Sequence, residues 1–468
     1  MTDTQGKSLD HGLPPPVRVG LTGEGTYPMV MGGVSTWYDQ LLTGLADHEF
    51  AIVTLVGEAR TPCWEMPANV TSLTSVPMWD PPPRVPLAGR RAEDRRVRTL
   101  LAELWRAALP AGNGTETDVR NGSQALRGLA LGAGKHRLSA TLARVSSVEA
   151  IMSAWSEFKK SSDVTPVLTL AQAAEVAHHA DRMIAVIDTP WPDVDIIHAT
   201  SNGPSALLAL AKHWADGTPL LLTEHGVYLR ERYLALSHLD WPVRAALMGL
   251  TKLICQVTYA ESTVLAPVSE FNARWSIKLG ADPRRVRVVH NGVDVATYVP
   301  IDGEPSEPTV SFVGRIDPLK DLDTMIQAFA LVVQSIPEAK LRLFGPIPEQ
   351  NIFYHELLLS VVHQLGLEDA VTFEGRVPNA RIAAEAGHVV ALSSISEGLP
   401  FTVIEAMMCS RPTISTDVGG VVEITGTDAV AGLVVPPRDP GALAAAMVKL
   451  LKDNQERQRM GEAGRARA

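Results

Sequence analysis

Short apolar runs alternate with amphipathic stretches along most of the chain, and that alternation predicts strands and helices in turn. VRVGLT (17–22) predicts a strand, and 34–46 a helix whose apolar stripe is Val34, Trp37, Leu41, Leu42 and Leu45. AIVTLVG (51–57) predicts a second buried strand. Strand, loop, helix and strand in this order open a doubly wound α/β domain. The pattern resumes with DIIHATS (195–201), a helix from Pro204, PLLLTEHG (219–226), two more helices, VLAPVS (264–269) and VRVVHNG (286–292).

Between about 81 and 190 the alternation stops. VRTLLAELWRAAL (97–109) and VEAIMSAWSEF (148–158) predict helices, with AGNGTETDVRNGS (111–123) as a polar loop, so this stretch is expected as a helical insertion in the first domain. VPIDGEPSEP (299–308) carries three prolines and three acids and is expected as a linker. The rhythm then restarts with TVSFVGR (309–315), a helix from Lys320, LRLFGP (341–346), a helix from Asn351, VTFEG (371–375) and VVALSS (389–394). A helix from Pro400, PTISTD (412–417), AGLVVPP (431–437) and a helix near 440–458 complete it. The organisation expected is a tail (1–16), a first parallel-sheet domain (17–298), the linker, and a second (309–468), with a ligand in the cleft between the two.

A chain of 468 residues exceeds one hydrophobic core, which agrees with two domains. A formal net charge of −10 argues against a nucleic-acid partner, since neutralising phosphates needs a basic surface. Cys63, Cys255 and Cys409 lie far apart without metal-ligand spacing and read as reduced and cytosolic. The polar start MTDTQGKSLDHGLPPP has no apolar signal core, and no apolar run approaches the ~20 residues of a membrane span. Arg84, Arg90, Arg91, Arg95, Arg96, Arg98 and Arg106 crowd the start of the insertion. Interleaved acids favour a solvated helix face over a site for an anionic acceptor, a membrane surface or a protein.

The sharper chemistry lies in the second half. In SSISEGLPFTVIEAM (393–407) a buried strand ends, Glu397 and Gly398 turn, and Pro400 opens a helix that carries Glu405. Exposed backbone N–H groups and the positive end of a helix dipole suit an oxygen-rich ligand there, although Glu397 could instead serve only the dipole. In FVGRIDPLKDLDT (312–324), Arg315 closes a strand and Lys320 begins a helix, where a fork and a point charge could hold a diphosphate, or could pair with Asp317 or Asp321.

GR-x4-K (314–320), the pair Glu397 and Glu405, SEFNARWSIKLG (269–280) and VVHNGVD (288–294) resemble retaining glycosyltransferases of family 4, with the GT-B fold of two Rossmann-like domains facing a cleft. EGTYPMVMGGVSTW (24–37), IIHATSNGP (196–204), TEHGVYLRER (223–232) and SSISEG (393–398) resemble its PelF group, associated with exopolysaccharide synthesis from UDP-glucose. The resemblance implies a UDP-sugar donor, a glycan or other acceptor, no metal or other cofactor, and cytoplasmic placement with peripheral attachment to a membrane polysaccharide-synthesis complex. Catalytic roles fall on Glu397, His225, Arg315 and Lys320. Nucleotide-sugar contacts fall on Gly32, Gly33, Arg376, Val377, Gly398, Leu399 and Glu405, with Glu405 on the ribose and the backbone of Arg376 and Val377 at the base. Gly32 and Gly33 then have a physical reason, since a Cβ there would hold backbone N–H groups away from phosphate oxygens.

His290 stands where relatives have proline, and relatives extend past the last helix, so a shortened carboxyl end is expected. A metal-dependent enzyme reading Asp193/Asp195 or Asp321/Asp323 as D-x-D, a nicotinamide oxidoreductase, a sugar-nucleotide epimerase and a silent binding subunit are the rivals.

Overall fold

The computed structural model describes residues 16–58, 60–80, 91–109, 114–132, 137–160 and 165–468. The expected tail, but for its last residue, and two of the clustered arginines, Arg84 and Arg90, lie outside the described residues. Two six-stranded parallel sheets organise the rest. The first contains β1 (Arg18–Glu24), β2 (Glu49–Val56), β3 (Val70–Pro77), β4 (Ile196–Ala199), β5 (Leu220–Leu222) and β6 (Val264–Leu265), in the order β3-β2-β1-β4-β5-β6. The second contains β7 (Thr309–Val313), β8 (Lys340–Phe344), β9 (Val371–Gly375), β10 (Val389–Leu392), β11 (Thr413–Thr416) and β12 (Leu433–Val435), in the order β12-β11-β10-β7-β8-β9. These are the two parallel-sheet domains expected from the alternation, in the GT-B arrangement that the resemblance implies.

Parallel strands require crossovers, and helices supply them. In the first domain these are α1 (Gly33–Gly44), α2 (Arg91–Ala108), α3 (Glu116–Gly132), α4 (Leu138–Val145), α5 (Val148–Lys160) and α6 (Leu170–Ala185). α7 (Pro204–Asp216), α8 (Tyr228–Ala235), α9 (Trp241–Glu261) and α10 (Glu270–Lys278) follow. The second domain has α11 (Leu322–Ser335), α12 (Ile352–Gln364), α13 (Arg381–Ala386), α14 (Phe401–Met408), α15 (Val421–Thr425), α16 (Pro440–Lys452) and α17 (Asn454–Arg467). The strand order reverses between β1 and β4 in one sheet and between β7 and β10 in the other. Loops leaving the carboxyl ends of these strands are therefore splayed apart, and a crevice opens.

Four local readings need correction. VRVVHNG forms no named strand; Val286 makes one bridge to Leu265 and the segment then runs beside a β6 only two residues long. AGNGTETDVRNGS is not all loop: α3 begins at Glu116, where Thr115 and Asp118 exchange side-chain to backbone hydrogen bonds of 2.8 and 3.2 Å. The helix read near 440–458 is two helices, because Asp453 stops α16 and its carboxylate accepts from Glu456 N at 3.0 Å to start α17. β3, VTSLTSVP, was not anticipated; it is a polar strand at the sheet edge.

The helices α2–α6 sit in the crossover from β3 to β4 and share one buried core with α7 and α9, including Leu101, Trp105, Leu126, Val176, Leu208 and Leu250. The 299–308 segment is tied to the second domain: Ile301 N donates to Cys409 O at 3.1 Å, and Arg457 pairs with Glu304 at 2.6 Å. No described helix is long and apolar enough to cross a membrane.

Candidate active site

The carboxyl ends of the two sheets meet. Gly398, two residues before the amino-terminal cap of α14, lies directly under the backbone carbonyl of His225, which follows β5. A Cβ at 398 would overlap that oxygen. Arg230 of α8 donates to Ile395 O at 2.8 Å, and Gly33 at the start of α1 faces the Phe401 ring, 3.3 Å from where its Cβ would stand. Gly398, His225 and Gly33, three of the residues predicted near phosphate or sugar, therefore lie along one seam.

On the second domain's side, β7 and β10 are neighbours, so Arg315, just past one, and Glu397, just past the other, leave the same edge. A short 3-10 turn, Pro318–Lys320, is capped by Asp317, whose carboxylate accepts from Leu319 N at 3.0 Å. That turn aims Lys320 Nζ at Glu397 Oε1, 2.6 Å away, and Ser394 Oγ donates to the same oxygen at 2.5 Å. Lys320 and Glu397 are thus paired with each other, and neither Asp317 nor Asp321 takes the lysine. Asp317 also accepts from Asn351, and Asp321 from Thr324. Glu397 Oε2 has no hydrogen-bond partner among the described residues. Arg315 is half-buried, with no hydrogen bond or ion pair there either. Its charge faces Glu231 of α8 across the seam.

Arg376 and Val377 follow β9, two strands beyond β7 on the same edge, the arginine exposed and the valine half-buried. Leu399 is buried, and its carbonyl accepts from Asn291 Nδ2 at 2.8 Å. Glu405 is buried in α14, and the Tyr298 hydroxyl donates to its Oε1 at 2.7 Å. Burial pushes its carboxyl above the ordinary range, a shift the tyrosine reduces.

The first domain contributes α1, whose cap residue Gly32 makes no side-chain cap and has open space where a Cβ would be. Its first-turn N–H groups have no intrahelical acceptors. Since Gly32 has extended backbone, access and not dihedral freedom is the reason left for glycine there. The His225 ring packs edge-on to Trp37 at 4.8 Å, with Nε2 shut off from solvent and unpartnered. Burial, helped by the neighbouring His198, pushes its pKa down to about 3, so the imidazole is neutral.

Sequence reasoning missed the rest of this wall. Tyr228 OH donates to Glu24 Oε2 at 3.0 Å, Arg232 stacks over the Tyr228 ring at 5.4 Å, and Glu231 packs against Gly226. The signal was available in YLRER, three charges within five residues immediately after a strand end.

Of the D-x-D rivals, the first pair lies away from the seam. Asp193 and Asp195 both bind Arg18, at 2.8 and 2.9 Å, at the amino end of β1 and hence the opposite edge of the sheet. Asp323 accepts from Tyr354 at 2.8 Å. His290 is exposed, its Nε2 3.5 Å from Glu423 of α15, whose carboxylate also accepts from the backbone N–H groups of Glu270 and Phe271, both at 2.7 Å.

Residues 17–284 match the family described as "Domain of unknown function (DUF3492)", and residues 300–467 match "Glycosyl transferases group 1". The D-inositol 3-phosphate glycosyltransferase of Kribbella flavida is 31% identical over 309 residues, spanning 63% of this chain and 71% of that protein. The same-named protein of Frankia alni is 30% identical over 292 residues, 58% of this chain and 70% of its own. Sucrose-phosphate synthase from Thermosynechococcus elongatus superposes with a TM-score of 0.60 at 18% identity, covering 96% of this chain and 94% of that one. Anabaena HepE, crystallised with UDP and glucose, gives 0.59 at 16% over the same shares. At such identities the two structures establish the shared fold.

Proposed function

We propose, from the premise that this chain belongs to the glycosyltransferases, its first domain to the DUF3492 family and its second to glycosyl transferases group 1, that it moves a hexose from a UDP-sugar to an acceptor hydroxyl with retention at the anomeric carbon. One observation carries the reading: Arg315, a guanidinium with no hydrogen bond or ion pair among the described residues, and a lysine held by a carboxylate, Lys320 on Glu397, flank one strand edge opposite the uncapped start of α1. As the bond to the β-phosphate breaks, negative charge grows on the leaving diphosphate and positive charge on the sugar. Arg315, Lys320 and the α1 N–H groups stabilise the first. Glu397, released when the diphosphate takes Lys320, turns toward the sugar hydroxyls, and Glu405 offers its remaining oxygen to the ribose. The backbone at Arg376 and Val377 meets the base, and Gly398 and Leu399 bring the second domain's backbone to the sugar.

His225, being neutral, accepts or donates a hydrogen bond to the sugar without competing for the diphosphate's charge. The leaving phosphate takes the acceptor's proton. Cations already neutralise the diphosphate, so turnover proceeds without a metal. UDP-glucose is the donor we favour, supported by the resemblance to the PelF group and by the ligands named for HepE. Exopolysaccharide synthesis on the cytoplasmic face of a membrane complex is the role that goes with it. The names of the sequence relatives support a second acceptor, D-inositol 3-phosphate.

Calorimetric titration with UDP-glucose, GDP-mannose and NAD tests the donor, with binding expected for the first and unaffected by EDTA. A charge-assisted hydrogen bond is worth ~1.5–3 kcal/mol and each ~1.4 kcal/mol is tenfold in rate, so Arg315→Ala and Lys320→Ala should each lower kcat/KM by roughly ten- to several hundredfold. Thermal stability of the ligand-free Arg315→Ala protein should be nearly unchanged. Preference for GDP-mannose or NAD, or normal UDP binding with a collapsed melting temperature in Arg315→Ala, would refute the assignment.

A further inference from the structure

The first-domain wall of the seam carries a group of side chains that the donor chemistry leaves unused: Glu24 at the end of β1 and Tyr228, Glu231 and Arg232 on α8. Tyr228 is buried and spends its hydroxyl on Glu24 Oε2, which leaves Glu24 Oε1 open. Glu231 is half-buried and has no hydrogen bond or ion pair among the described residues. It lies against Gly226, beside His225, and faces both Arg315 and Glu397. The Nε of Arg232 is shut off from solvent without a hydrogen-bond partner among the described residues, although its charge lies among Glu24, Glu231 and Tyr228. A desolvated guanidinium N–H with nothing to bind is costly, and beside it stands a half-buried carboxylate whose oxygens are unpaired among the described residues; a ligand offering both donors and acceptors would satisfy them. Burial, together with Glu397 and Glu24, pushes the Glu231 carboxyl above its ordinary range, against the pull of Arg232 and Arg315.

We propose that Glu24, Glu231 and Arg232 form the acceptor subsite and that it selects an uncharged, polyhydroxylated acceptor over a phosphorylated one, Glu231 receiving a hydrogen bond from an acceptor hydroxyl beside the donor sugar. Sugar hydroxyls donate to carboxylates and accept from a guanidinium, which matches this set. A phosphate brings no donor and two negative charges to a wall where Arg232 already lies between two carboxylates, while Arg315 serves the donor diphosphate in the reading above and Arg230 spends an N–H on Ile395 O. The inference rests on the donor reading above, and the two fail separately.

The test measures binding of glucose and glucose 6-phosphate, and of myo-inositol and D-inositol 3-phosphate, to the whole protein saturated with UDP. UDP affinity is measured first. In each pair the neutral compound should bind at least tenfold more tightly. Glu231→Gln should weaken the neutral ligands several-fold with UDP affinity unchanged, and Glu24→Gln/Glu231→Gln should narrow the gap between the members of each pair. Tighter binding of the phosphorylated compounds, equal binding, or binding of neither, with UDP bound normally, overturns the acceptor assignment alone. Failure to bind UDP or UDP-glucose overturns the donor reading as well.

Discussion

Two residues at adjoining strand ends show how burial sets charge near the seam. His198 is buried within β4, the neighbour of β1, its Nε2 2.8 Å from Thr223 Oγ1, and burial lowers its pKa from 6.5 to about 4. Glu224 is buried beside it, accepts from the Tyr259 and Ser276 hydroxyls at 2.8 and 3.1 Å, and is pushed by burial up to about 7. The signs are opposite. The histidine's folded pKa is depressed, so the unfolded chain takes the proton first, and the neutral ring's contribution to stability is present above about pH 6.5 and lost as pH falls toward 4. The glutamate's folded pKa is raised, so its contribution is complete below about pH 4.5 and lost as pH climbs through 7. Melting temperature measured from pH 4.5 to 8 should therefore fall less on the acid side in His198→Gln than in the native chain, and less on the alkaline side in Glu224→Gln. Parallel curves for all three proteins would show that neither group is linked to folding. At this scale the sequence singled out Arg315, Lys320, Glu397 and His225 as candidate site residues. It could not pair Lys320 with Glu397, 77 positions away, because only the adjacency of β7 and β10 brings them together.

Among the elements, α10 has an amino terminus served from both domains. Its own Ser269 Oγ accepts from Asn272 N at 3.1 Å, while Glu423 of α15 takes the N–H groups of Glu270 and Phe271. A carboxylate on two first-turn N–H groups answers both the missing acceptors and the dipole, and such caps are typically worth about 1 kcal/mol, up to ~2. Glu423→Ala should therefore reduce stability to denaturant by about 1–2 kcal/mol, with the exposed Glu270→Ala within ~0.5 kcal/mol of native as the control. An unchanged unfolding midpoint in Glu423→Ala would remove this clasp from the account. Elements with strong apolar runs were legible: every strand of the second sheet was read from one, most plainly the central β10, VVAL, which is covered on both faces and buried at every position. The misses have equally local causes. β3 is an edge strand with four exposed or half-exposed Thr and Ser residues in eight, and nothing in it announces burial. In α3 the Asn, Gly and Ser residues outweighed the Thr115-to-Asp118 capping signature, and Gly122 is there for contact, since its Cβ would come within 2.6 Å of Leu253 in α9.

For the whole molecule, the alternation of runs was enough to give two sheets and a cleft. The insertion was visible only as an interruption, although its helices complete the first domain's core. What no pattern conveyed is how closely the halves meet. The contact from Arg230 to Ile395 spans 165 positions, and Gly398 reads in the sequence as a turn residue, whereas in the fold it is the place where one backbone rests on another. Its requirement is space, since even a methyl group would overlap the His225 carbonyl oxygen and approach Asn272 Nδ2 to 3.3 Å. Neither neighbour can yield alone: the carbonyl belongs to the turn after β5, and Asn272 Nδ2 is held by Glu224 O at 3.0 Å. Gly398→Ala must therefore part the domains, and a shift of about 1 Å between reacting groups can cost roughly a hundredfold in rate. We expect hexose transfer to fall on that order while far-ultraviolet circular dichroism stays native and the radius of gyration from small-angle scattering rises. Gly44→Ala, at the far end of α1, is the control, because nothing lies within 4 Å of where its Cβ would stand. Native turnover and dimensions in Gly398→Ala would mean that the seam absorbs a side chain there, and that the close approach of the two domains is not what positions the donor.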